Sequence, residues 1–250
     1  MSIQVQNLSQ MRELRLAAMS QAYELQVEQP KLHQLGFDER FGLLLESEVS
    51  ARKSRKLNRL VKVAALPELA AVEDIDFRAS RGLEKPLVAS LASCAWIHRH
   101  HNLMILGATG LGKSWLACAF AHQACRLDMS VAFHRASELY EMIAEAQIDA
   151  SLPKLKASLV KADLLVLDDF GIGEMSPASA QLLLDVVDRR MRTGSLLITS
   201  QYPLEKWHDC FPDPTIADAV LDRIVHQAYK IQLKGESMRK TRGKAALGGT

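Results

Sequence analysis

The stretch 107-GATGLGKS-114 decides the fold of this 250-residue chain. It follows the apolar run 102-NLMIL-106 and precedes 115-WLACAFAHQAC-125, so a buried strand is expected to pass through a glycine-rich turn into a helix. Gly107, Gly112, Lys113 and Ser114 stand on the fixed positions of GxxxxGK[ST], a loop whose glycines let successive backbone N–H groups turn inward on phosphate oxygens. The helix that follows aims its positive end at the same place. The octet therefore predicts a cradle for ATP built from Gly107, Ala108, Thr109, Gly110, Leu111 and Gly112 and completed by Trp115. Lys113 would reach the β and γ phosphates, from a side chain solvated while the site is empty, and Ser114 would hold Mg²⁺. The plain alternative is a glycine-rich turn between core elements; a strand before and a helix after are the context a phosphate loop requires.

Working outward, 163-DLLVLDDF-170 lies some fifty residues on. A buried strand ending in Asp168 and Asp169 puts carboxylates at the C-terminal edge of a sheet, where ligands bind in open α/β folds. Asp168 is placed to hold Mg²⁺ through water, and Asp169 to polarise an attacking water. Alone, such a pair reads equally as a helix N-cap beyond a core strand. Further short apolar runs, 130-SVAFH-134, 195-SLLIT-199 and 229-YKIQL-233, alternate with helix-length segments. That alternation predicts an α/β fold with a parallel sheet covered by helices on both faces. The run 130–134 intervenes in sequence between the two motifs, which suits the additional-strand ATPases better than simple nucleotide kinases.

Residues 1–65 read as a small all-helical domain, with Leu8, Met11, Leu14 and Leu16, then Phe41, Leu44, Leu45 and Val49, at helical spacing and Pro30 and Gly36 as breaks. Residues 66–250 read as the nucleotide-binding domain, joined by a proline-containing acidic linker over 66–77. The net charge is only +2, so a basic surface must come from local clustering. One candidate is 52-RKSRKLNRLVK-62, where Arg52, Lys53, Arg55, Lys56, Arg59 and Lys62 occur with no acid among them. Such density fits contacts to DNA phosphates without base readout, and equally a solvated helix face. The four cysteines, Cys94, Cys118, Cys125 and Cys210, form no CxxC pair, as expected of reduced thiols. No basic-then-apolar leader and no apolar run of about 20 residues is present, which predicts a cytoplasmic protein without a membrane span. The run His98 to His101 reads as a wet turn before the first strand rather than a metal site.

Taken in order, "RKSRKLNRLVKVAALP", "EDIDF", "GATGLGKSWLA", "LLVLDDFG", "DRRMRTGSLLITSQYPLEKW", "DPTIADAVLDRIVHQA" and "KGESMRK" resemble the AAA+ ATPases. The closest resemblance is to the IstB family of insertion-sequence transposition helpers, with DnaC-type helicase loaders as near relatives. The resemblance implies an AAA+ P-loop core that hydrolyses ATP with Mg²⁺, forms homo-oligomers with ATP sites at subunit interfaces, binds double-stranded DNA largely independently of sequence and acts with a cognate transposase. It places a sensor for the γ phosphate at Gln201, beside Thr199 and Ser200, and an arginine finger at Arg223, whose plain alternative is an ion pair with Asp222 or Asp218. Arg239 would stand in for the sensor arginine of a C-terminal lid that this chain has little or no room for. Asp169 departs from the usual Glu by one methylene. The rival readings are a helicase loader of the same fold, a P-loop kinase acting on a small molecule, and a DNA-binding module that holds ATP without turning it over.

Overall fold

A computed structural model describes residues 2–77, 81–235 and 237–238. Its described residues fall into two compact units, divided between Arg59 and Leu60. The larger unit is built on five strands, β1 (Asn102–Leu106), β2 (Val131–Arg135), β3 (Leu164–Asp168), β4 (Ser195–Ser200) and β5 (Ala228–Gln232), all parallel in the order β2-β3-β4-β1-β5. Every residue of β1, β3 and β4 is buried, whereas β2 and β5, at the edges, are partly accessible. Central strands of a sheet covered on both faces have no solvent side, so their middles, 103–106, 164–167 and 196–198, are unbroken apolar runs.

The strand order fixes where a ligand can sit. From β1 the chain crosses to the far edge at β2, steps back through β3 and β4, and then passes β1 to reach β5. The C-terminal ends of β1, β4 and β3 are therefore adjacent, and the reversal of direction opens a crevice beyond them.

Helices cover the sheet: α4 (Lys85–Ala92), α5 (Ala95–His98), α6 (Lys113–Arg126), α7 (Ala136–Ile148), α8 (Leu152–Lys161), α9 (Pro177–Arg190) and α10 (Pro214–Val225). Along α6 the side chains of Ala117, Cys118, Ala119, Phe120, Ala121, Ala124 and Cys125 are buried, and all but Phe120 are small, which lets the helix lie close to the sheet. Burial pushes the Cys118 and Cys125 thiols up to about 11, so both stay protonated. Helices α9 and α10 start as their sequences direct: Ser176 and Asp213 cap them through side-chain oxygens, and Pro177 and Pro214 take the first helical position.

At the opposite, N-terminal end of the strands one buried cation ties four elements together. Arg190, 1% exposed, donates to the carbonyls of Leu159 (2.8 Å), Val160 (3.2 Å), Ala162 (2.7 Å), Asp163 (3.2 Å) and Ser195 (2.6 Å). It thereby satisfies the last carbonyls of α8 from the end of α9 and joins the starts of β3 and β4. Loss of water around it lowers its guanidinium to about 10, so it remains a cation at neutral pH. The stretch 66–77, read from sequence as a linker, lies along α6: His122 Nδ1 is 2.9 Å from the Ala70 carbonyl, and Arg126 pairs with Glu73 at 2.6 Å.

The smaller unit consists of α1 (Ile3–Glu13), α2 (Ala17–Glu28) and the first part of α3 (Phe37–Ala64). Most of the apolar positions that suggested helices here stay accessible: Leu44 is buried, but Leu14, Phe41, Leu45 and Val49 are exposed. Helix α2 has Leu16 at its N-cap, which offers no acceptor. Glu48 of α3 supplies one instead, its Oε2 accepting from the Ala18 (3.0 Å) and Met19 (3.2 Å) amides, while its Oε1 accepts from Arg52 (2.8 Å) and Arg55 (3.1 Å). The Arg52 hydrogen bond, more than any other contact, holds this carboxyl below the usual carboxylate range.

Among the described residues, no helix is long and apolar enough to cross a membrane, and no cluster of His, Cys, Asp or Glu could hold a metal by itself. All four cysteines are free thiols.

Candidate nucleotide-binding site

The loop between β1 and α6 lines a cleft of about 500 Å³ with Thr109, Gly110, Gly112, Lys113, Ser114 and Trp115. Gly112 is the N-cap of α6 at φ 86°, a left-handed conformation that favours glycine, and it brings no side chain to occupy the first amides of the helix. Gly110, at φ 85°, faces the C-terminal segment: a Cβ there would overlap Ser237 Oγ, and the Met238 amide donates to its carbonyl at 2.9 Å. The same segment brings Met238 into the cleft wall. Arg239 lies outside the described residues.

Lys113 departs from expectation. It is 5% exposed rather than solvated, with Nζ donating to the Ala108 carbonyl at 3.2 Å. Desolvation lowers its pKa, and attraction to Asp169 and Asp168 opposes that shift. The cause is the tightness of the loop, which folds its lysine back over its own carbonyls.

Asp168 ends β3 at 2% exposure. Burial raises its pKa; hydrogen bonds from the Thr199 and Ser114 hydroxyls pull it back down. Ser114 and Asp168, fifty-four positions apart in sequence, thus meet. Thr199 Oγ1 donates to Asp168 Oδ1 at 2.6 Å and accepts from the Asp169 amide at 2.9 Å, so one hydroxyl of β4 holds both aspartates in place. Asp169 adopts φ 56°, which turns it out of the strand direction, and it lines the cleft with Lys113. Phe170, next in sequence, anchors this turn by packing on Trp207 and Phe211.

Gln201, just past β4, reaches the phosphate loop directly: its Oε1 accepts from Thr109 Oγ1 at 2.8 Å. Arg223 lies outside the cleft wall, on α10, where Nε donates to Asp188 Oδ1 at 2.9 Å and a further nitrogen to the Ala219 carbonyl at 2.7 Å. The ion-pair partner is thus Asp188 of α9, not Asp222 or Asp218. Arg52, Lys53, Arg55, Lys56, Arg59 and Lys62 are all exposed along α3.

A match to the IstB-like ATP binding protein family spans residues 9–246. The chain belongs to that family. Within it, the chain is 40% identical over 233 residues to the insertion sequence ATP-binding protein y4pL of Sinorhizobium fredii, covering 93% of this chain and 95% of the relative. It is 43% identical over 197 residues to the IS1162 ATP-binding protein of Pseudomonas fluorescens, covering 78% and 85%. Among solved structures the IstB-like fold resembles DnaI (TM-score 0.56, 18% identity, 71% of this chain and 92% of that one) and the DnaC helicase loader (0.55, 17%, 66% and 97%). It also resembles DnaA from Aquifex aeolicus bound to AMPPCP (0.56, 15%, 74% and 56%). These likenesses show that the core shares the fold of these three proteins.

The wall of this IstB-like cleft also contains groups to which the sequence motifs assign no role, although Asp74 and Asp76 lie within 73-EDIDF-77. Glu68, Asp74, Asp76 and Arg81 enter it from the stretch before the sheet, and Ile172 from the turn after Asp169. Thr199 was legible only as a neighbour of Gln201. Its bond to Asp168 depends on strand register, which places β4 beside β3.

Proposed function

We propose that this chain is an ATP-hydrolysing, DNA-binding helper of an insertion sequence, working with the element's transposase. The observation that carries the enzymatic half is the convergence of Lys113, Ser114, Asp168 and Asp169 at the open N-terminus of α6. A buried carboxylate beside a serine hydroxyl is a hard-oxygen donor set, and a cation would offset the desolvation that raises the Asp168 pKa. Ser114 and Asp168 would hold Mg²⁺, which when bound shields charge on the β and γ phosphates. Lys113 leaves the Ala108 carbonyl for those phosphates. Asp169, held by the Thr199 hydroxyl, orients the attacking water, and Gln201 relays the state of the γ phosphate to Thr109.

Assembly and DNA binding rest on other features. Arg223 acts on the nucleotide of a neighbouring copy, with Asp188 positioning it in the free subunit. The N-terminal unit, residues 1–65 in this proposal, leaves Ile3, Leu14 and Phe37 at least two-thirds exposed (77%, 67% and 75%), which fits a surface completed by packing. The basic face of α3 tracks DNA phosphates. The names of the curated relatives favour an insertion sequence over replication; the helicase loader is the second reading, favoured by the fold.

ATP turnover measured with and without duplex DNA, with Lys113→Ala as the control, tests the proposal. Turnover that responds to DNA and disappears in the control is expected. Turnover that requires a small-molecule acceptor and ignores DNA would turn the reading to a kinase, and capture of a replicative helicase in place of the transposase would turn it to a loader.

A further inference from the structure

Trp115 is the one aromatic side chain among the described residues of the cleft wall. The other two tryptophans belong to the core: Trp96 and Trp207 are 3% and 0% exposed, and their indole nitrogens donate to the Leu91 (3.0 Å) and Tyr202 (3.2 Å) carbonyls. Trp115 instead stays half-buried at the cleft, on the first turn of the 14-residue helix α6. A large apolar ring placed beside amides that await an anion can either pack the start of the helix or meet the apolar part of the ligand.

Helix geometry decides which part of the ligand that is. Ser114 and Trp115 are neighbours in sequence but point about 100° apart around the α6 axis. The Ser114 hydroxyl goes to Asp168, at the end of the cleft that Asp169 also lines. Trp115 is turned away from it. His122 and Arg126, further along α6, fall within about 20° of Trp115 around the axis. Both meet the stretch before the sheet, His122 at the Ala70 carbonyl and Arg126 at Glu73. That same stretch sends Glu68, Asp74 and Asp76 into the cleft wall. The cleft therefore has two poles. At one, Lys113, Ser114 and the open amides of α6 suit a phosphate chain. At the other, carboxylates repel phosphate and accept hydrogen bonds from neutral hydroxyl and amino groups, and an aromatic ring supplies stacking surface, which together suit a nucleoside.

We propose that Trp115 is the base-contacting residue of the cleft, its indole stacking on the purine of the bound nucleotide. This rests on reading the cleft as a nucleotide site and adds which wall of it holds the base. Every base has a face to stack, but the two fused rings of a purine cover more of an indole than the single ring of a pyrimidine, so the contact favours purine nucleotides.

Trp115→Leu keeps an apolar side chain for packing and removes the ring; Trp115→Phe keeps a ring. Affinities of the full chain for ATP, CTP and inorganic tripolyphosphate are measured by calorimetric titration. Trp115→Leu should weaken ATP by about tenfold or more, weaken CTP less and leave tripolyphosphate within about twofold, with Trp115→Phe recovering most of the loss. In the unaltered chain ATP should quench tryptophan fluorescence, and Trp115→Leu should abolish that response, since Trp96 and Trp207 are buried in the core. ATP affinity within about twofold of the unaltered chain for Trp115→Leu, or an unchanged ratio of ATP to CTP affinity, overturns the proposal. So do equal losses for all three ligands, which mark Trp115 as a support of the helix start. Lys113→Ala separates the two levels: undiminished ATP binding there removes the site itself, whereas loss there with normal binding in Trp115→Leu removes Trp115 alone.

Discussion

At the scale of single residues, the site stores its charges out of water. Lys113 is buried against a carbonyl of its own loop, at a desolvation cost that lowers its pKa. Replacing it with alanine relieves that cost, so the nucleotide-free Lys113→Ala chain should melt no lower than the unaltered one. ATP affinity should fall by about tenfold or more, the worth of a charge-assisted hydrogen bond or two. A calorimetric titration checks the second expectation, and undiminished affinity in a folded variant would sink the phosphate-loop assignment. Asp169 is the complementary case. Its left-handed backbone is one that Asn tolerates as well as Asp, so Asp169→Asn should leave the turn and nucleotide binding intact. Hydrolysis should slow by about a hundredfold if the carboxylate positions the water, because removal of a general base costs that order. Single-turnover hydrolysis at the normal rate would move this role to another group.

At the scale of elements, the three central strands were legible as apolar runs because each crosses a buried layer, and the start of α6 was legible because a phosphate loop needs glycine at fixed places. What could not be read were side chains whose partners lie about 30 positions away. Thr199 meets Asp168 only because β3 pairs with β4, Arg190 meets α8 only once α9 has packed, and Glu48 caps α2 only when α3 folds back. Such residues look like surface polar positions until tertiary contacts bury them. Arg190→Ala leaves buried carbonyls without a donor and opens a void, so it should destabilise the core by about 3 kcal/mol or more, seen as a lower denaturation midpoint. Glu48 gives a pH dependence. Its folded carboxyl titrates below the usual 4.5, because Arg52 and the α2 amides favour the ionised form. Its contribution is therefore present above that value and lost as pH falls through the lower folded one. Helicity of the N-terminal unit should decline on acidification below about 4.5, and Glu48→Gln should flatten that decline while lowering stability at neutral pH by about 1–3 kcal/mol. Superimposable acid titrations by circular dichroism would remove Glu48 from this role.

At the scale of the whole molecule, the proposed activity depends on copies and on DNA. If Arg223 serves a neighbour, mixing Arg223→Ala with Lys113→Ala should restore part of the ATPase activity that each lacks alone, since one interface then joins an intact loop to an intact arginine. No recovery in demonstrably mixed assemblies would leave Arg223 as a partner of Asp188 and nothing more. DNA binding needs a more selective set of changes than charge density alone suggests. Arg52 and Arg55 bind Glu48 and through it support α2, so removing them would confuse folding with DNA contact. Replacing Lys53, Lys56, Arg59 and Lys62 by alanine leaves that cluster in place. Each phosphate contact releases condensed cations, so log affinity should fall with log salt at a slope of roughly −0.9 per contact. The fourfold variant should show a flatter slope and weaker binding to all duplex sequences alike, with ATP affinity unchanged. Binding of wild-type strength and slope would make α3 a solvated face, and the surface that meets DNA would have to lie elsewhere on the chain.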